Sequence, residues 1–84
     1  MRKQYERWVY DALKGNNGSA TVLEVARHIW ANHKDDIDGT EDFYSWQYDF
    51  RWGATELRKK GIMRDTKESP RGLWQLKDND LEFF

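Results

Sequence analysis

The sequence predicts one α+β domain in which three helices are followed by a small antiparallel β-hairpin. Two observations lead to this prediction. Apolar residues recur at helical spacing in three segments before residue 60, and two short strand-like runs flank a polar loop that holds the only proline. A chain of 84 residues has room for one hydrophobic core. We assign residues 1–77 to this domain and residues 78–84 to an acidic and apolar C-terminal tail.

The first helix is predicted over residues 4–14. Its apolar residues form one stripe at i, i+3, i+4, i+7 and i+8, made of Tyr5, Trp8, Val9, Ala12 and Leu13. Gly15 and the turn-forming residues 16–18 end it. Residues 19–21 are predicted to be extended, as a third strand beside the hairpin.

The second helix is predicted to start at a capping box and to end near His33. Thr21 and Glu24 have the T-x-x-E spacing in which each side chain caps the other residue's backbone. Residues 34–42 then form an acidic connection, with Ile37 tucked beneath it. The inward residues of this helix are Val22, Val25, Ala26, Ile29 and Trp30.

A third helical segment is predicted from residue 41 to residue 60, with Thr40 as its cap. This length is unusual, so we expect a break near Tyr44 or Ser45. Gly53 lies on the inward face, where its small size allows a neighbouring helix to approach closely. The inward residues are Trp46, Phe50, Gly53, Ala54 and Leu57.

The hairpin follows at once. Gly61 is a left-handed cap of the third helix, residues 62–64 and 73–76 are the strands, and residues 65–72 are the loop. Helices and hairpin in this order are typical of a winged helix-turn-helix, in which the second and third helices form the helix-turn-helix and the hairpin is the wing. We expect one shared core that includes Trp8, Ile29, Trp46, Phe50, Leu57 and Trp74.

Charge is distributed unevenly along the chain. The net charge is −1, but residues 50–77 carry +5, whereas residues 21–49 carry −5 and residues 78–84 carry −3. A localised basic patch is typical of phosphate binding even when the whole chain is nearly neutral. The third helix and the hairpin are therefore the candidate surface for a nucleic acid.

Several segments resemble the amino-terminal winged-helix domain of Mrr-type restriction proteins. They are GSATVLEVA at 18–26, Arg51-Trp52, LRKKGI at 57–62 and RGLWQL at 71–76, and the similarity covers about residues 5–77. The resemblance implies a DNA-binding module, which in that family is usually joined to a separate nuclease domain. This chain has no room for a nuclease, so we expect no catalytic activity.

The outer face of the third helix is predicted to enter the major groove of DNA. Arginine can bind guanine and glutamine can bind adenine there. Asp49 is expected on the same face, where its carboxylate would repel phosphate unless it accepts a hydrogen bond from cytosine. The alternative is a solvated polar face in which Arg51 pairs with Asp49 or Glu56. The candidate reading residues are Tyr44, Gln47, Tyr48, Arg51 and Thr55.

Lys67 and Arg71 at the tip of the wing are predicted to contact backbone phosphates or the minor groove. Arg58, Lys59 and Arg64 extend this patch. The alternative is a charged loop that only protects a sheet edge from pairing. The indoles of Trp46, Trp52 and Trp74 either stack on bases or belong to the core, and the core is favoured for Trp46 and Trp74.

Other site types find little support in the sequence. The chain has no cysteine, and His28 and His33 are five residues apart, which does not place them on one helix face. We therefore expect no metal, no cofactor and no catalytic site. No apolar run approaches 18 residues, so we expect a soluble cytoplasmic protein.

The sequence thus predicts a non-catalytic module that binds double-stranded DNA, as a transcription regulator or as a specificity domain of a restriction-like system. The alternative is a winged-helix module for protein–protein interaction, including homodimer formation. The acidic connection and the tail suit a protein partner. We expect the apolar tail residues to dock on the first helix or to mediate self-association; they are Leu81, Phe83 and Phe84.

Overall fold

The computed structural model describes residues 2–78, which form an α+β domain. Three α-helices pack around one hydrophobic core, and a two-stranded antiparallel sheet packs against the first two helices. The elements in chain order are α1 (Gln4–Gly15), β1 (Ser19–Thr21), α2 (Val22–Ile37), a 3₁₀ turn (Glu41–Tyr44), α3 (Trp46–Lys59) and β2 (Leu73–Gln75).

The sheet confirms the predicted third strand and shortens the predicted hairpin. β1 pairs with β2 in antiparallel register, with Ala20 opposite Trp74. On the other side of β2, residues 62–64 form no strand of their own and contribute one bridge, between Met63 and Leu76. The wing is therefore a minimal hairpin below a long loop, and the arrangement is compatible with a winged helix.

The start of α2 is as predicted, but its end is not. The Glu24 amide donates to Thr21 Oγ1 at 3.1 Å, and the Thr21 amide donates to Glu24 Oε1 at 2.8 Å. The helix continues beyond His33 to Ile37, with a non-helical φ of −130° at His33. The imidazole stacks on the Trp8 ring at a centroid distance of 3.9 Å, and Ile37 is fully buried. Burial of that isoleucine draws the additional turn onto the core.

The long segment before the wing is broken where the sequence predicted. Thr40 caps the 3₁₀ turn, because its Oγ1 accepts a hydrogen bond from the Asp42 amide at 3.2 Å. The chain leaves helical geometry at Ser45, and α3 begins at Trp46. The helix ends before Gly61, whose φ of +76° is the predicted left-handed conformation.

Gly53 is the point of closest approach between α3 and α1. A Cβ atom built on Gly53 would lie 2.8 Å from the Tyr5 carbonyl carbon and 2.9 Å from its oxygen. Real Cβ contacts do not reach such distances, so only glycine allows this packing. The prediction that Gly53 serves a close helix–helix contact is confirmed.

The predicted core is confirmed for its aliphatic and phenylalanine members. Ile29, Phe50 and Leu57 are buried in one cluster, whereas Trp8, Trp46 and Trp74 are only half-buried and pack against its edge. The three indoles contact other rings at the border of the core. The largest fully buried side chains are Tyr5, Phe50, Leu13, Ile29, Ile37, Leu57, Met63, Val9 and Val25.

Among residues 2–78, no helix is long and apolar enough to cross a membrane. The predicted docking of Leu81, Phe83 and Phe84 lies outside the described residues. Of the predicted tail, only Asp78 is described, and it is exposed.

Candidate nucleic-acid interface

The outward face of α3 and the turn before it expose all five predicted reading residues. Tyr44 is 87% exposed and Tyr48 is 76% exposed. Gln47, Arg51 and Thr55 are also exposed. Within α3, residues 47, 48, 51 and 55 recur at spacings of three and four, which places them along one side of the helix, and Tyr44 precedes them in the 3₁₀ turn. The face is thus a continuous polar and aromatic strip that solvent can reach.

Arg51 lies at the centre of this strip. Its guanidinium carbon is 5.9 Å from the centroid of the Phe50 ring, so the side chain leans on the edge of the core. One turn later, Thr55 Oγ1 donates to the Arg51 carbonyl at 3.2 Å. That bond uses the hydroxyl proton of Thr55, and its oxygen remains an acceptor for a partner.

Asp49 does not share this face, and the prediction that it would was wrong. Successive helical residues are rotated by about 100°, so the side chains of Asp49 and Arg51, two positions apart, point about 160° away from each other. The carboxylate is 8% exposed on the side toward the amino terminus. Its Oδ1 lies 3.3 Å from Arg2 Nε, and its Oδ2 accepts from Ser45 Oγ at 2.9 Å. Asp49 therefore pairs with Arg2, and not with Arg51 as in the alternative considered from the sequence.

Lys59 and Arg58 both have intramolecular contacts, so they do not form a continuous exposed patch of unpaired cations. The Lys59 ammonium is 3.1 Å from Glu56 Oε2, in a pair on the surface of α3. Arg58 is half-buried, with its guanidinium carbon 5.4 Å from the centroid of a Trp74 ring. Burial lowers the pKa of Arg58, opposed by the charge of Asp65. Arg58 is thus a fixed cation between α3 and the wing.

The wing loop is ordered by its own hydrogen bonds. The Asp65 amide donates to Glu68 Oε1 at 2.9 Å, and the Glu68 amide returns a bond to the Asp65 carbonyl at 2.9 Å. The Lys67 amide donates to Asp65 Oδ1 at 3.4 Å, and this bond with others holds the Asp65 pKa below its ordinary value. The loop therefore presents Lys67 in a defined position.

The outer cations of the wing project from this ordered loop. Arg64, Lys67 and Arg71 are exposed. The Arg64 amide donates to the Gln75 carbonyl at 2.8 Å, which fixes the base of the loop on β2. The structure brings Arg58, Arg64 and Arg71 to one cavity, described below, while Lys67 lies outside its lining.

An apolar groove between α2 and α3 was not predicted from the sequence. It has a volume of about 620 Å³, and its walls include Leu23, Ala26, Trp30 and Trp46, with Arg51 among its lining residues. The rings of Trp30 and Trp46 stack at 5.5 Å. The sequence did contain a signal for this groove. Leu23 lies one residue outside the inward stripe of α2, and this offset leaves its side chain 58% exposed.

The three tryptophans considered for base stacking are half-buried. Trp74 contacts Phe50 at a centroid distance of 5.8 Å, and Trp46 contacts Phe50 at 5.7 Å. Trp52 lies beneath the Arg2 guanidinium, 4.7 Å from the ring centroid. All three rings have intramolecular partners.

The residues considered for a metal site do not converge. Within the part of the chain from 2 to 78, no group of three or more His, Cys, Asp or Glu side chains could hold a metal ion. His28 lies beside Gly15, and His33 lies on Trp8 with its Nδ1 3.7 Å from Asp36 Oδ2.

No protein-family model, curated protein or solved structure matches this chain.

Proposed function

We propose that the domain binds double-stranded DNA as a winged helix-turn-helix, with α3 in the major groove and the wing on the backbone or in the minor groove. The observation that carries the proposal is the removal of Asp49 from the outward face of α3 into its pair with Arg2. From Tyr44 to Thr55 that face then presents Arg51 and no carboxylate. A duplex approaching it meets one cation and several hydrogen-bonding groups.

Two further features support this placement of α3. The major groove is about 12 Å wide and admits one α-helix. Only the inward side of α3 packs on the core. The whole outward strip of the helix is therefore open to a groove. The wing loop lies next to the end of the same helix, because Arg58 of α3 and Trp74 of β2 are in contact. Helix and wing therefore offer one continuous surface to a duplex.

In this proposal the side chains have different roles. Arg51 and Gln47 contact base edges, with Tyr44, Tyr48 and Thr55 beside them. The backbone contacts come from cations that carry no sequence information, namely Arg58, Lys59, Arg64, Lys67 and Arg71. A non-catalytic role as a regulator, or as a specificity module similar to those of Mrr-type proteins, follows from this division.

The experiment compares two alanine variants on two duplexes. A preferred sequence is first selected from a random DNA pool with the unmodified chain. Arg51→Ala is expected to lower affinity for the preferred duplex by about 1–3 kcal/mol and to lower affinity for a scrambled duplex much less. Lys67→Ala is the matched control, because it removes one charge and is expected to weaken both duplexes alike. Equal losses for Arg51→Ala on both duplexes would contradict base reading.

A protein-interaction module is the second candidate, and the apolar groove favours it. Exposed tyrosines at 44 and 48 and an exposed leucine at 23 are residue types and positions that protein interfaces use. If this candidate is right, the substitution Leu23→Glu is expected to abolish binding of the protein partner and to leave affinity for DNA unchanged. If the unmodified chain fails to bind any duplex at low salt, this candidate replaces the first.

A further inference from the structure

A second cavity lies between the end of α3 and the wing loop. We name it the wing pocket, and it has a volume of about 370 Å³. Three of its lining residues are arginines, Arg58, Arg64 and Arg71, and part of its wall is apolar, from Pro70 and Trp74. Three guanidinium groups around one small cavity repel each other unless an anion lies between them.

Among residues 2–78, Asp65 is the only acidic residue in the lining of this pocket. Its Oδ1 already accepts from Thr66 Oγ1 at 3.2 Å and from the Lys67 amide at 3.4 Å. The carboxylate is thus used to order the loop. With one negative and three positive side chains, the described residues of the lining have a formal charge of +2.

Arg58 is the member of this set that is least able to move. It comes from the last turn of α3, packs over the indole of Trp74, and is half-buried. Its Nε is buried, and no group within residues 2–78 accepts a hydrogen bond from it. A buried donor of a charged group without an acceptor is costly. An oxyanion in the pocket supplies acceptors to this guanidinium.

We infer that the wing pocket is a binding site for one tetrahedral oxyanion, a phosphate group, held chiefly by Arg58 with Arg64 and Arg71. Guanidinium groups are suited to this ligand, because their planar donors match the oxygens of phosphate in pairs. Arg58 is half-buried beside Trp74, so its guanidinium is partly screened from water, and this strengthens its attraction to an anion.

We assign this phosphate group to the backbone of a DNA duplex, and this assignment rests on the proposed function. Arg58 follows Arg51 by seven residues and lies on the same line of α3. A strand that borders the major groove would pass from the α3 strip over the wing pocket. One backbone phosphate would then sit in it. Free phosphate and phosphate monoesters are the other source of the same chemistry.

The first arm of the test uses no DNA. Thermal unfolding of the full chain is followed in rising inorganic phosphate, with chloride to keep the ionic strength constant. A ligand that binds only the folded state raises the melting temperature with the logarithm of its concentration. Phosphate also stabilises proteins generally by exclusion from their surfaces, and this effect is the same in all variants. The quantity that matters is therefore the difference between variants.

Arg58→Met and Arg71→Met are expected to lose the saturable part of this shift. Lys77→Met is the matched control, since it removes one charge from an exposed residue outside the pocket and outside the proposed DNA surface, and it is expected to keep the shift. Arg71 is exposed, so its replacement tests the site even if Arg58→Met does not fold. In spectra of ¹⁵N-labelled protein, the Nε–H resonance of Arg58 is expected to move saturably with phosphate. Equal shifts in all variants, or an Arg58 signal that does not respond, would overturn the oxyanion site.

The second arm uses duplexes in which one phosphate at a time is a neutral methylphosphonate. For the unmodified chain, we expect one position at which neutralisation lowers affinity about tenfold, as for the loss of one charged hydrogen-bonding contact. In the Arg71→Met variant, which already lacks part of this contact, neutralisation of the same phosphate is expected to lower the remaining affinity only slightly. If the first arm succeeds and no position shows this coupling, the site takes a free phosphate group and its assignment to DNA is overturned.

Discussion

The Nε atom of Arg2 lies 3.3 Å from Oδ1 of Asp49, and this pair joins the amino terminus to the first turn of α3. The pair lies on the opposite side of α3 from Arg51. It holds the Asp49 carboxylate away from the face that carries Arg51. The ion pair thereby links the packing of the amino-terminal residues to the charge of the proposed DNA surface.

Substitution of Asp49 tests this placement. Asp49→Asn is expected to change DNA affinity by less than about twofold at ~0.15 M salt, because charges separated by more than ~8 Å are largely screened there. Fluorescence anisotropy with a labelled duplex measures it. Asp11→Asn on the surface of α1 is a control for the removal of one acidic charge away from α3. A gain of tenfold or more for Asp49→Asn alone would place the carboxylate on the DNA side.

Replacement of Gly53 is expected to destabilise the domain. Alanine favours helix by about 1 kcal/mol over glycine, but a Cβ that overlaps the Tyr5 backbone forces α1 and α3 apart, and overpacking typically costs about 1–3 kcal/mol. Backbone cannot move aside as a flexible side chain can, so we expect the loss to exceed the gain. Urea unfolding of Gly53→Ala measures the difference.

Gly15→Ala is the matched control for that experiment. Its Cβ would lie 3.6 Å from His28 Cε1, which is an ordinary contact. We expect its free energy of unfolding to be equal to or higher than that of the parent. A stable Gly53→Ala variant would mean that the α1–α3 contact is looser than described.

Two adjacent lysines are expected to differ sharply in their effect on stability. Lys60 Nζ lies 2.7 and 3.1 Å from the two carboxylate oxygens of Glu6, which is 3% exposed, whereas Lys59 pairs with Glu56 at the surface. Lys60→Met leaves a buried carboxylate unpaired and is expected to cost about 1–3 kcal/mol. Lys59→Met is expected to cost less than about 0.5 kcal/mol.

The double variant Glu6→Gln with Lys60→Met checks the cause. Removing both charges is expected to recover part of the loss, because no buried charge then remains without a partner. Denaturant melts of the three variants give the comparison. A double variant that is no more stable than Lys60→Met would show that packing of the lysine chain, rather than its charge, is responsible.

Because His33 is stacked on Trp8, we expect the stability of the domain to depend on pH. Burial lowers the pKa of His33 from its ordinary 6.5, and Asp36 only partly opposes this. The unfolded chain therefore takes up the proton first as the pH falls. The free energy of unfolding is expected to be highest above about pH 7 and to decrease as the pH falls through 6.5 to the lowered pKa.

His33→Phe isolates this contribution, because phenylalanine retains a ring on Trp8 but does not titrate. Urea melts between about pH 5 and 7.5 are expected to show a smaller slope for the variant than for the parent. His28 remains in both proteins as an internal reference. Identical slopes would show that protonation of His33 is not linked to folding.

Local sequence signals predicted much of this fold. The capping box at Thr21, the glycine at 61 and the break before Trp46 each depend on a few neighbouring residues, and each was found where expected. The predicted burial of Ile37 is confirmed, but the end of α2 was missed because the acidic sequence between His33 and Ile37 carries no local signal that the helix continues. The length of the hairpin was overestimated, because residues 62–64 pair with the second strand through one bridge only.

The candidate site was predictable in composition but not in arrangement. Exposure of the α3 strip followed from helical periodicity. The direction of Asp49 did not, because its partner Arg2 is 47 positions earlier in the chain. Nor did periodicity predict the half-buried state of Arg58, which depends on the approach of Trp74 from β2.

The most direct test of the DNA-binding proposal is the affinity of the unmodified chain for a duplex as a function of salt. Each phosphate that is neutralised contributes about 0.9 to the slope of log affinity against log salt concentration. The proposed cations are Arg51, Arg58, Lys59, Arg64, Lys67 and Arg71. We therefore predict measurable binding at ~50 mM salt and a negative slope no steeper than about −5. Absence of binding at that salt concentration, or an affinity that does not change with salt, would contradict the account.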